Sequence, residues 1–467
     1  MRMTRLSKLV PIAMAAMFVA GCSSSAATTT VAPATQAPAT QAAAPTTAPT
    51  AAPATCTTLT VWAMPGSFSD STSKSLITTF ENAHPGCVVN YQVQQWDGIV
   101  TKLTTALASN NPPDVMEIGN TDAITFEAAG ALADLTSARA MLGGGTSNVS
   151  SDPGQLWLAS LNDASVLNGK LFAVPFYAGD RVLIYRTDLF KSAGIDISTI
   201  TSKDKLIAAA KTLQTANKSV TDFSGLYLPG QNWYALMQMI WDNGGQIATQ
   251  DSSGKWAGAL ETPASEKGIQ DYVDYYKAGS TGPADKDEAN PAEYTLFLQG
   301  KVGMMIGNGW EVGISYGANG VVKTADQVGT APIPSVNDGK TVPVFLGGSV
   351  IGVAAKSKNI AAAQDFIAEL STPAGQNAEI GDGWIPSLKL YAANIPNNGT
   401  TAAKTLAIQA SEAAAGSGFT PNATGWAAVE ANNPIKSMMT AILTGQKTVD
   451  QAAKDADTAM NGVINNK

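Results

Sequence analysis

The chain has 467 residues, of which 45% are hydrophobic and 14% charged, and its net charge is -8. Its single histidine, His84, leaves no second imidazole for a histidine-rich metal site and would have to serve any histidine-based catalytic triad alone. The acidic balance disfavours nucleic acid as a partner, because neutralising phosphates requires an excess of Lys and Arg. The length is sufficient for two lobes.

The amino terminus has the features of an export signal. Arg2, Arg5 and Lys8 precede a mainly apolar run over residues 9–20. This run is too short to span a bilayer comfortably. We therefore assign residues 1–21 to a signal peptide.

Residues 19–22 read Val-Ala-Gly-Cys and resemble the lipobox of bacterial lipoproteins. In that motif the cysteine, here Cys22, receives a diacylglycerol and becomes the first residue of the mature chain. Insertion of an acyl chain into a bilayer is favourable by about 0.8 kcal/mol per buried CH₂. Two or more chains would therefore anchor the protein to the outer face of the cell membrane. An ordinary cleaved signal with an incidental cysteine is the alternative.

A tether is predicted between the lipid anchor and the fold, over residues 22–55. Apart from Val31, residues 23–55 are Ala, Thr, Pro, Ser and Gln, without a charge or an aromatic ring. Such a composition cannot bury a core, so the segment is expected to be disordered and semi-extended.

The two remaining cysteines, Cys56 and Cys87, each immediately precede an apolar run, at 59–63 and 88–93. Each cysteine therefore marks the start of a predicted strand. If these strands are parallel neighbours joined by a helix, their starts lie side by side, at the roughly 4.4–6.8 Å Cα separation of a disulfide. Outside the cytoplasm two such thiols tend to pair, and we predict a Cys56–Cys87 bridge.

Strand-like and helix-like runs alternate from residue 56 onward. Helices are predicted near 71–83, 98–109 and 126–132, with a third strand over 113–118. This alternation indicates an α/β fold with a parallel sheet covered on both faces. Ligands bind beyond the carboxyl ends of the strands in such sheets. Residues that follow predicted strand ends are Trp62, Trp96, Asn120 and Asp122.

Two positions in the sequence suggest crossings between lobes. Strand-like runs at 171–176 and 181–186 flank a predicted break at 177–180. Gly347-Gly348-Ser349 similarly separates an apolar run ending at residue 346 from one starting at residue 350. Both patterns predict hinge strands.

Several blocks of the sequence resemble those of a known family. Residues 169–190, GKLFAVPFYAGDRVLIYRTDLF, are similar to a segment of bacterial extracellular solute-binding proteins of the maltose-binding type. Further blocks agree in order, among them NPPDV at 111–115, FLQGKVGMM at 297–305 and WIPS at 384–387. The stretch YLPGQNWY at 227–234 looks like that of actinobacterial sugar-binding members. The resemblance extends from about residue 57 to the carboxyl terminus.

The resemblance implies a two-lobed periplasmic-binding-protein fold of type II, with hinge strands joining the lobes. Lobe one would comprise residues 56–177 and 350–395, and lobe two residues 182–345 and the C-terminal helices of 396–467. A mono- or oligosaccharide would bind between the lobes and pass to the permease subunits of an ABC importer. The protein would be a monomer that needs no cofactor, no metal and no catalytic step.

A pyranose has apolar C–H faces and an equator of hydroxyls, so its site needs aromatic walls and polar side chains that bind hydroxyls. Trp310, and by rough position Trp426, match aromatic residues of the family's sugar site. The aromatic candidates are Trp310, Trp233, Trp426, Trp62, Trp96, Trp384 and Tyr177, with core packing as the alternative for each tryptophan. We assign Trp157, Trp241 and Trp256 to packing.

The polar candidates belong to the hinge and to the loop after the third strand. Asp180 and Arg181 lie in the hinge string, where a hinge-bracing ion pair is the alternative. Carboxylates of the maltose-type pattern, near residues 121 and 179, are here displaced by one residue or absent. The full polar set is Asp180, Arg181, Asn120, Asp122, Gly347 and Gly348.

Two other functions compete with sugar capture. A secreted glycoside hydrolase also combines carboxylates with tryptophans, but it needs two carboxyl groups roughly 5–10 Å apart around one sugar bond. No motif in the sequence indicates such a pair of carboxyl groups. A receptor for a peptide or a polyamine is an alternative within the binding class, and a polyamine site would need several carboxylates that the loops do not display.

Overall fold

The computed structural model describes residues 56–415 and 417–466. The signal peptide, Cys22 and the tether lie outside these residues. The strands, in chain order, are β1 (Thr58–Ala63), β2 (Val88–Val93), β3 (Val115–Gly119), β4 (Val166–Leu167), β5 (Lys170–Leu171), β6 (Ala173–Gly179), β7 (Arg181–Arg186), β8 (Ala248–Gln250), β9 (Trp256–Gly258), β10 (Met304–Asn308), β11 (Val328–Ala331), β12 (Val344–Phe345), β13 (Gly347–Val353), β14 (Ile385–Pro386) and β15 (Ser417–Gly418).

Helices separate most of these strands. They are α1 (Asp70–Ala83), α2 (Ile99–Ala108), α3 (Ala123–Ala128), α4 (Ala159–Asp163), α5 (Thr187–Ala193), α6 (Lys203–Ala216), α7 (Trp233–Asp242), α8 (Pro263–Lys277), α9 (Glu293–Leu298), α10 (Ile360–Ala368), α11 (Pro373–Gly381), α12 (Thr401–Ala415), α13 (Trp426–Asn432), α14 (Pro434–Leu443) and α15 (Val449–Asn461). Short 3-10 helices cover Thr136–Ala138, Ile197–Thr199, Gly309–Ile314, Ala325–Gln327, Glu369–Ser371 and Lys389–Asn394. Within the described residues, each helix falls short of the length and apolar character that a bilayer span requires.

A six-stranded sheet forms the centre of lobe one, in the order β14-β6-β13-β3-β1-β2. Strand β1 pairs in parallel with β2 and β3, as the alternation of strands and helices predicts. Strand β13 runs antiparallel to both β3 and β6. The sheet is therefore mixed rather than wholly parallel, because its middle strand comes from a later passage of the chain through the lobe.

The predicted disulfide is present at the edge of this sheet. Thr58 of β1 lies beside Val88 of β2 in the parallel register, so the residues just before the two strands are neighbours. The Cα atoms of Cys56 and Cys87 are 5.0 Å apart and the two side chains are bonded. The bridge therefore ties together the strand ends that point away from the carboxyl edge of the sheet.

One helix of lobe one differs from its prediction over 126–132. Helix α3 spans Ala123–Ala128 and ends before Gly130, whose φ is +65°. Ala133 then donates its backbone N–H to Val353 of β13 at 2.8 Å. The apolar residues after the helix thus join the sheet instead of extending the helix.

Lobe two has a smaller antiparallel sheet, in the order β10-β7-β11. Its core gathers apolar side chains of α6, α7 and α8 together with those of the C-terminal helices α13, α14 and α15. Helices α13, α14 and α15 therefore pack into the same core as α6, α7 and α8.

The lobes are joined where β6 leads into β7. The predicted four-residue break at 177–180 is wrong, because β6 runs on to Gly179 and a single residue, Asp180, separates it from β7. Gly347 and Gly348 also lie within β13, paired with Gly179 and Ala178, rather than between two strands. The crossing strands are thus longer than predicted, since the two chain passages hydrogen-bond to each other at the hinge.

Candidate functional site

A cleft of about 470 Å³ lies at the crossing between the lobes. It contains seven of the residues predicted to bind ligand, which reach it from five separate parts of the chain. These seven are Trp96, Tyr177, Asp180, Trp310, Gly347, Gly348 and Trp384. The other lining residues are Pro65, Gly66, Gly179, Asn308, Gly309, Ser349, Gly383 and Gln409.

The lobe-one wall of the cleft is a pair of stacked aromatic rings. The ring centroids of Tyr177 and Trp384 are 4.2 Å apart and their planes are inclined by 26°. Trp384 lies between α11 and β14, and β14 pairs with β6 beside Tyr177. The buried indole N–H of Trp384 has no acceptor among the described residues. It is therefore a donor that a ligand could use.

Two further tryptophans are exposed at the cleft. Trp310, which is 46% exposed, lies on the 3-10 helix Gly309–Ile314 of lobe two, and Trp96 of lobe one is 43% exposed. The helix is capped at its start, where the Asn308 N–H donates to Glu311 Oε2 at 3.1 Å. Exposed indoles on a capped helix and beside a sheet edge are suited to stacking on a planar or ring-shaped ligand.

Asp180 occupies the floor of the cleft, between the two crossing strands. Its carbonyl oxygen accepts hydrogen bonds from Gln409 Nε2 at 2.6 Å and from the Gly309 N–H at 3.2 Å. Its carboxyl group is buried and has no hydrogen-bond partner among the described residues. Burial, and secondarily the nearby charge of Glu412, raises the pKa of Asp180 well above its ordinary value.

Gly309 is required by this packing. A Cβ atom at residue 309 would lie 2.2 Å from Gln409 Oε1. Helix α12, which carries Gln409, therefore approaches the cleft floor closely only because residue 309 has no side chain.

Trp233 and Trp426 lie in the core of lobe two rather than on the cleft wall. Both are buried, and their ring centroids are 6.2 Å apart. Trp233 is the first residue of α7, with its ring against Tyr234, and the Trp426 indole donates to Glu430 Oε1 at 2.9 Å. The two tryptophans were predicted to contact ligand. They face the lobe-two core instead, because each is the first residue of a helix whose apolar face packs into that core.

Arg181 is buried beside the cleft and does not line it. Its Nη2 lies 2.5 Å from Glu288 Oε1, and its guanidinium stacks over the Tyr234 ring at 4.6 Å. The ion pair considered as an alternative for Asp180 and Arg181 is thus absent from this part of the structure, since Arg181 pairs with Glu288 instead.

Asn120, Asp122 and Trp62 are not among the residues that line the cleft. Asn120 Nδ2 donates to the Leu346 carbonyl at 3.1 Å and so ties the loop after β3 to the second crossing. Asp122 precedes α3, and burial raises its pKa to about 6. The Trp62 indole donates to Gln92 Oε1 at 3.1 Å and lies beneath Lys102, in a separate surface groove.

The three tryptophans assigned to packing are buried or half-buried, and Trp157 is completely buried.

The sequence did not identify three polar side chains of the cleft, those of Asn308, Ser349 and Gln409. Asn308 and Ser349 adjoin predicted residues, Trp310 and Gly348, and could have been found by extending those loops. Gln409 lies in the middle of an Ala-rich helix, where nothing in the local pattern distinguishes it from a solvent-facing residue.

The arrangement defines a binding protein: two α/β lobes with a cleft between them, whose wall is aromatic and whose floor is polar. Among the described residues, no group of three or more His, Cys, Asp or Glu side chains could hold a metal ion. Residues 66–377 match the model of the bacterial extracellular solute-binding proteins, and the chain belongs to this family.

Relatives of known name agree with this membership. The chain is 36% identical over 86% of its length, and 89% of the relative, to the diacetylchitobiose-binding protein DasA of Streptomyces coelicolor. It is 24% identical, over 64% of its length and 67% of the relative, to a maltooligosaccharide ABC transporter solute-binding lipoprotein of Streptococcus pneumoniae. The family and both relatives are binding proteins by name, and the second relative is the binding protein of an ABC transporter.

Solved structures show the same two-lobed type II fold. The GacH receptor of Streptomyces glaucescens superposes with a TM-score of 0.69 at 23% identity, over 88% of this chain and 98% of the receptor. The cyclic α-maltosyl-1,6-maltose-binding protein of Arthrobacter globiformis superposes with a TM-score of 0.68 at 22% identity, over 88% and 99%. The predicted fold class is therefore confirmed, whereas the residue boundaries of the lobes remain predictions.

Proposed function

We propose that this protein captures an oligosaccharide between its lobes and delivers it to the permease subunits of an ABC importer. The observation that carries the proposal is the cleft, in which Trp96, Tyr177, Trp310 and Trp384 surround a polar floor. The same site binds a chitooligosaccharide, with N,N′-diacetylchitobiose as the first candidate, because DasA is 36% identical to this chain over most of both proteins.

The chemistry of the cleft fits an uncharged ring-shaped ligand. The aromatic rings supply flat apolar faces for sugar C–H groups. Asn308, Gln409 and Ser349 supply amide and hydroxyl groups, and the free Trp384 N–H supplies a donor for a carbonyl or hydroxyl oxygen. None of the described lining residues is a Lys, Arg or His. The unpartnered carboxyl of Asp180 is a further hydrogen-bonding group for a ligand hydroxyl or amide.

Capture proceeds by closure of the lobes about the crossing strands. Trp384 and Tyr177 contact the ligand from lobe one, while Trp310 and Asn308 contact it from lobe two. A ligand that touches both lobes has a higher affinity for the closed form than for the open one, and so shifts the population towards closure. The permease can then distinguish the loaded form.

The tether and Cys22 hold the protein outside the cell. The family consists of extracellular solute-binding proteins, and one relative is a lipoprotein by name. We propose diacylglycerol on Cys22 as the anchor. Cys22→Ala should move the protein from the membrane fraction to the medium and abolish labelling by radioactive palmitate. Retention of the label would contradict the anchor without affecting the proposed ligand.

Calorimetric titration with purified sugars tests the ligand. The panel is N,N′-diacetylchitobiose, maltose, trehalose, cellobiose and xylobiose, with a peptide mixture and a polyamine as the competing classes. We expect heat of binding with diacetylchitobiose and an increase in melting temperature that follows from linkage. Binding of another disaccharide would overturn the chitooligosaccharide assignment only. Binding of a peptide or polyamine with no response to any sugar would overturn the proposed function.

A further inference from the structure

Glu117 is a buried carboxyl residue in the lobe-one sheet. It contacts Tyr177, which lines the cleft. It lies on β3 with no exposed surface and does not line the cleft. Its Oε2 accepts the Met64 N–H at 2.8 Å, and its Oε1 accepts the Ser67 hydroxyl at 2.7 Å and the Tyr177 hydroxyl at 3.1 Å. A side chain of this kind in an otherwise apolar strand needs several donors, and here it has three.

The three donors come from two different walls of the cleft. Met64 and Ser67 flank the turn after β1, and this turn contributes Pro65 and Gly66 to the lining. Tyr177 contributes the ring that stacks on Trp384 at 4.2 Å. The two carboxyl oxygens of Glu117 thus connect the turn to the aromatic wall by hydrogen bonds.

A fourth element joins the same network from the hinge. The Ser349 hydroxyl donates to the Tyr177 hydroxyl at 3.2 Å, across the pairing of β13 with β6. The Tyr177 oxygen therefore accepts from a crossing strand while it donates to Glu117. This double constraint fixes the ring plane of Tyr177, and with it the plane against which Trp384 stacks.

We propose that Glu117 is a positioning residue for ligand binding, which orients the Tyr177–Trp384 wall and the 64–67 turn without touching the ligand. This proposal rests on the proposed function, since it concerns the same cleft. It predicts that part of the effect of Glu117 on affinity passes through the Tyr177 hydroxyl, so that the two groups are energetically coupled.

A double-mutant cycle tests the coupling. The variants are Glu117→Leu, which removes every acceptor, Tyr177→Phe, which removes only the hydroxyl and keeps the ring, and the double variant. The affinity for N,N′-diacetylchitobiose should fall by about three- to tenfold in each single variant, as expected for the loss of one hydrogen bond. The affinity of the double variant should be only slightly lower than that of the single variant that binds less tightly, because both changes break one network.

Two further variants provide a conservative substitution and a matched control. Glu117→Gln retains an acceptor for the Met64 N–H, so it should fold where Glu117→Leu fails and should recover part of the lost affinity. Glu127→Gln is the matched control, because Glu127 is a buried carboxyl of the same lobe whose oxygens have no partner among the described residues. It should leave the affinity within about twofold of the wild type.

Near-ultraviolet circular dichroism supplies a readout that needs no ligand. The stacked rings of Tyr177 and Trp384 should give an aromatic signal that decreases in Glu117→Leu and Tyr177→Phe but not in Glu127→Gln. Affinity losses that simply multiply in the double variant, with an unchanged aromatic signal, would overturn the positioning role. A wild-type protein that binds no sugar at all would refute the proposed function instead, while the spectra would still decide whether Glu117 orders the wall.

Discussion

Thr121 of lobe one donates a hydrogen bond to Glu430 of lobe two, with its Oγ1 3.3 Å from Glu430 Oε2. The other carboxyl oxygen of Glu430 accepts the Trp426 indole N–H at 2.9 Å. The contact therefore connects the loop after β3 directly to α13, on the other side of the interface between the lobes.

The surroundings of Glu430 make this contact sensitive to pH. Burial, then the neighbouring charge of Asp122, raises the pKa of Glu430 to about 8, although Lys436 on α14 and the two hydrogen bonds oppose the increase. Burial also raises the pKa of Asp122 to about 6. Burial, together with the nearby charges of Glu430 and Asp122, raises the pKa of the Tyr234 hydroxyl on α7.

The protein should lose stability as the pH rises from about 4.5, the ordinary pKa of Glu430, through about 8. Because its pKa is raised in the folded state, the folded protein binds more protons than the unfolded chain in this window and is favoured at the lower pH. The melting temperature measured across this range should fall, and Glu430→Gln should reduce the slope, since an amide does not titrate.

Asp450→Asn is the control for this comparison, because Asp450 is an exposed residue in the first turn of α15. It should leave the slope of the wild type unchanged. A slope that is the same in the wild type and in Glu430→Gln would show that the other buried carboxyls account for the pH dependence.

Trp384→Ala should weaken sugar binding more than any change outside the cleft. It removes one of the two stacked rings of the lobe-one wall and the free indole donor, so the expected loss is about 1–3 kcal/mol, or roughly five- to 150-fold in Kd. Trp62→Ala is the matched comparison, since the Trp62 ring lies in a separate groove beneath Lys102. Calorimetric titration of both variants should separate them, and equal losses would place the ligand elsewhere.

Removal of the disulfide should destabilise the fold without changing the site. The bridge joins residues 31 apart in sequence, and closing a loop of this length restricts the unfolded chain by about 3–4 kcal/mol in the entropic model. The double variant Cys56→Ala/Cys87→Ala should therefore unfold at lower denaturant concentration. Its sugar affinity should match the wild type, because the bridge is at the strand ends remote from the carboxyl edge of the sheet.

Much of the fold could be predicted because periodicity and the order of elements are local properties of the sequence. The strand starts at Cys56 and Cys87 determine a parallel pair and hence the disulfide, and the structure contains both. The antiparallel placement of β13 could not be predicted in the same way. It depends on pairing between segments more than 150 residues apart, for example Ser349 with Tyr177, which no local pattern encodes.

The site was predictable only in part, for a related reason. Trp310 and Trp384 follow Gly-containing turns at element ends, and such positions tend to face a cleft. Trp233 and Trp426 also lie at element ends, yet each begins a helix whose inward face it occupies. Which side of a helix start faces the cleft is determined by packing between distant elements, as is the position of Gln409 on α12.

Gly348→Ala should disrupt the hinge, whereas Gly347→Ala should not. Gly348 has a φ of +136°, and a Cβ atom there would lie 2.1 Å from the Tyr177 carbonyl oxygen. Alanine would thus both strain the backbone and separate β13 from β6, with an expected decrease of at least about 2 kcal/mol in the free energy of unfolding. At Gly347 the nearest atom to an added Cβ is a Phe345 ring carbon at 3.4 Å, an ordinary contact. Urea unfolding of the two variants should therefore give a clear difference, with Gly347→Ala within about 1 kcal/mol of the wild type. Equal stability of the two variants would mean that β13 can withdraw from β6 at residue 348 without loss, and that the close approach of these crossing strands does not hold the lobes together.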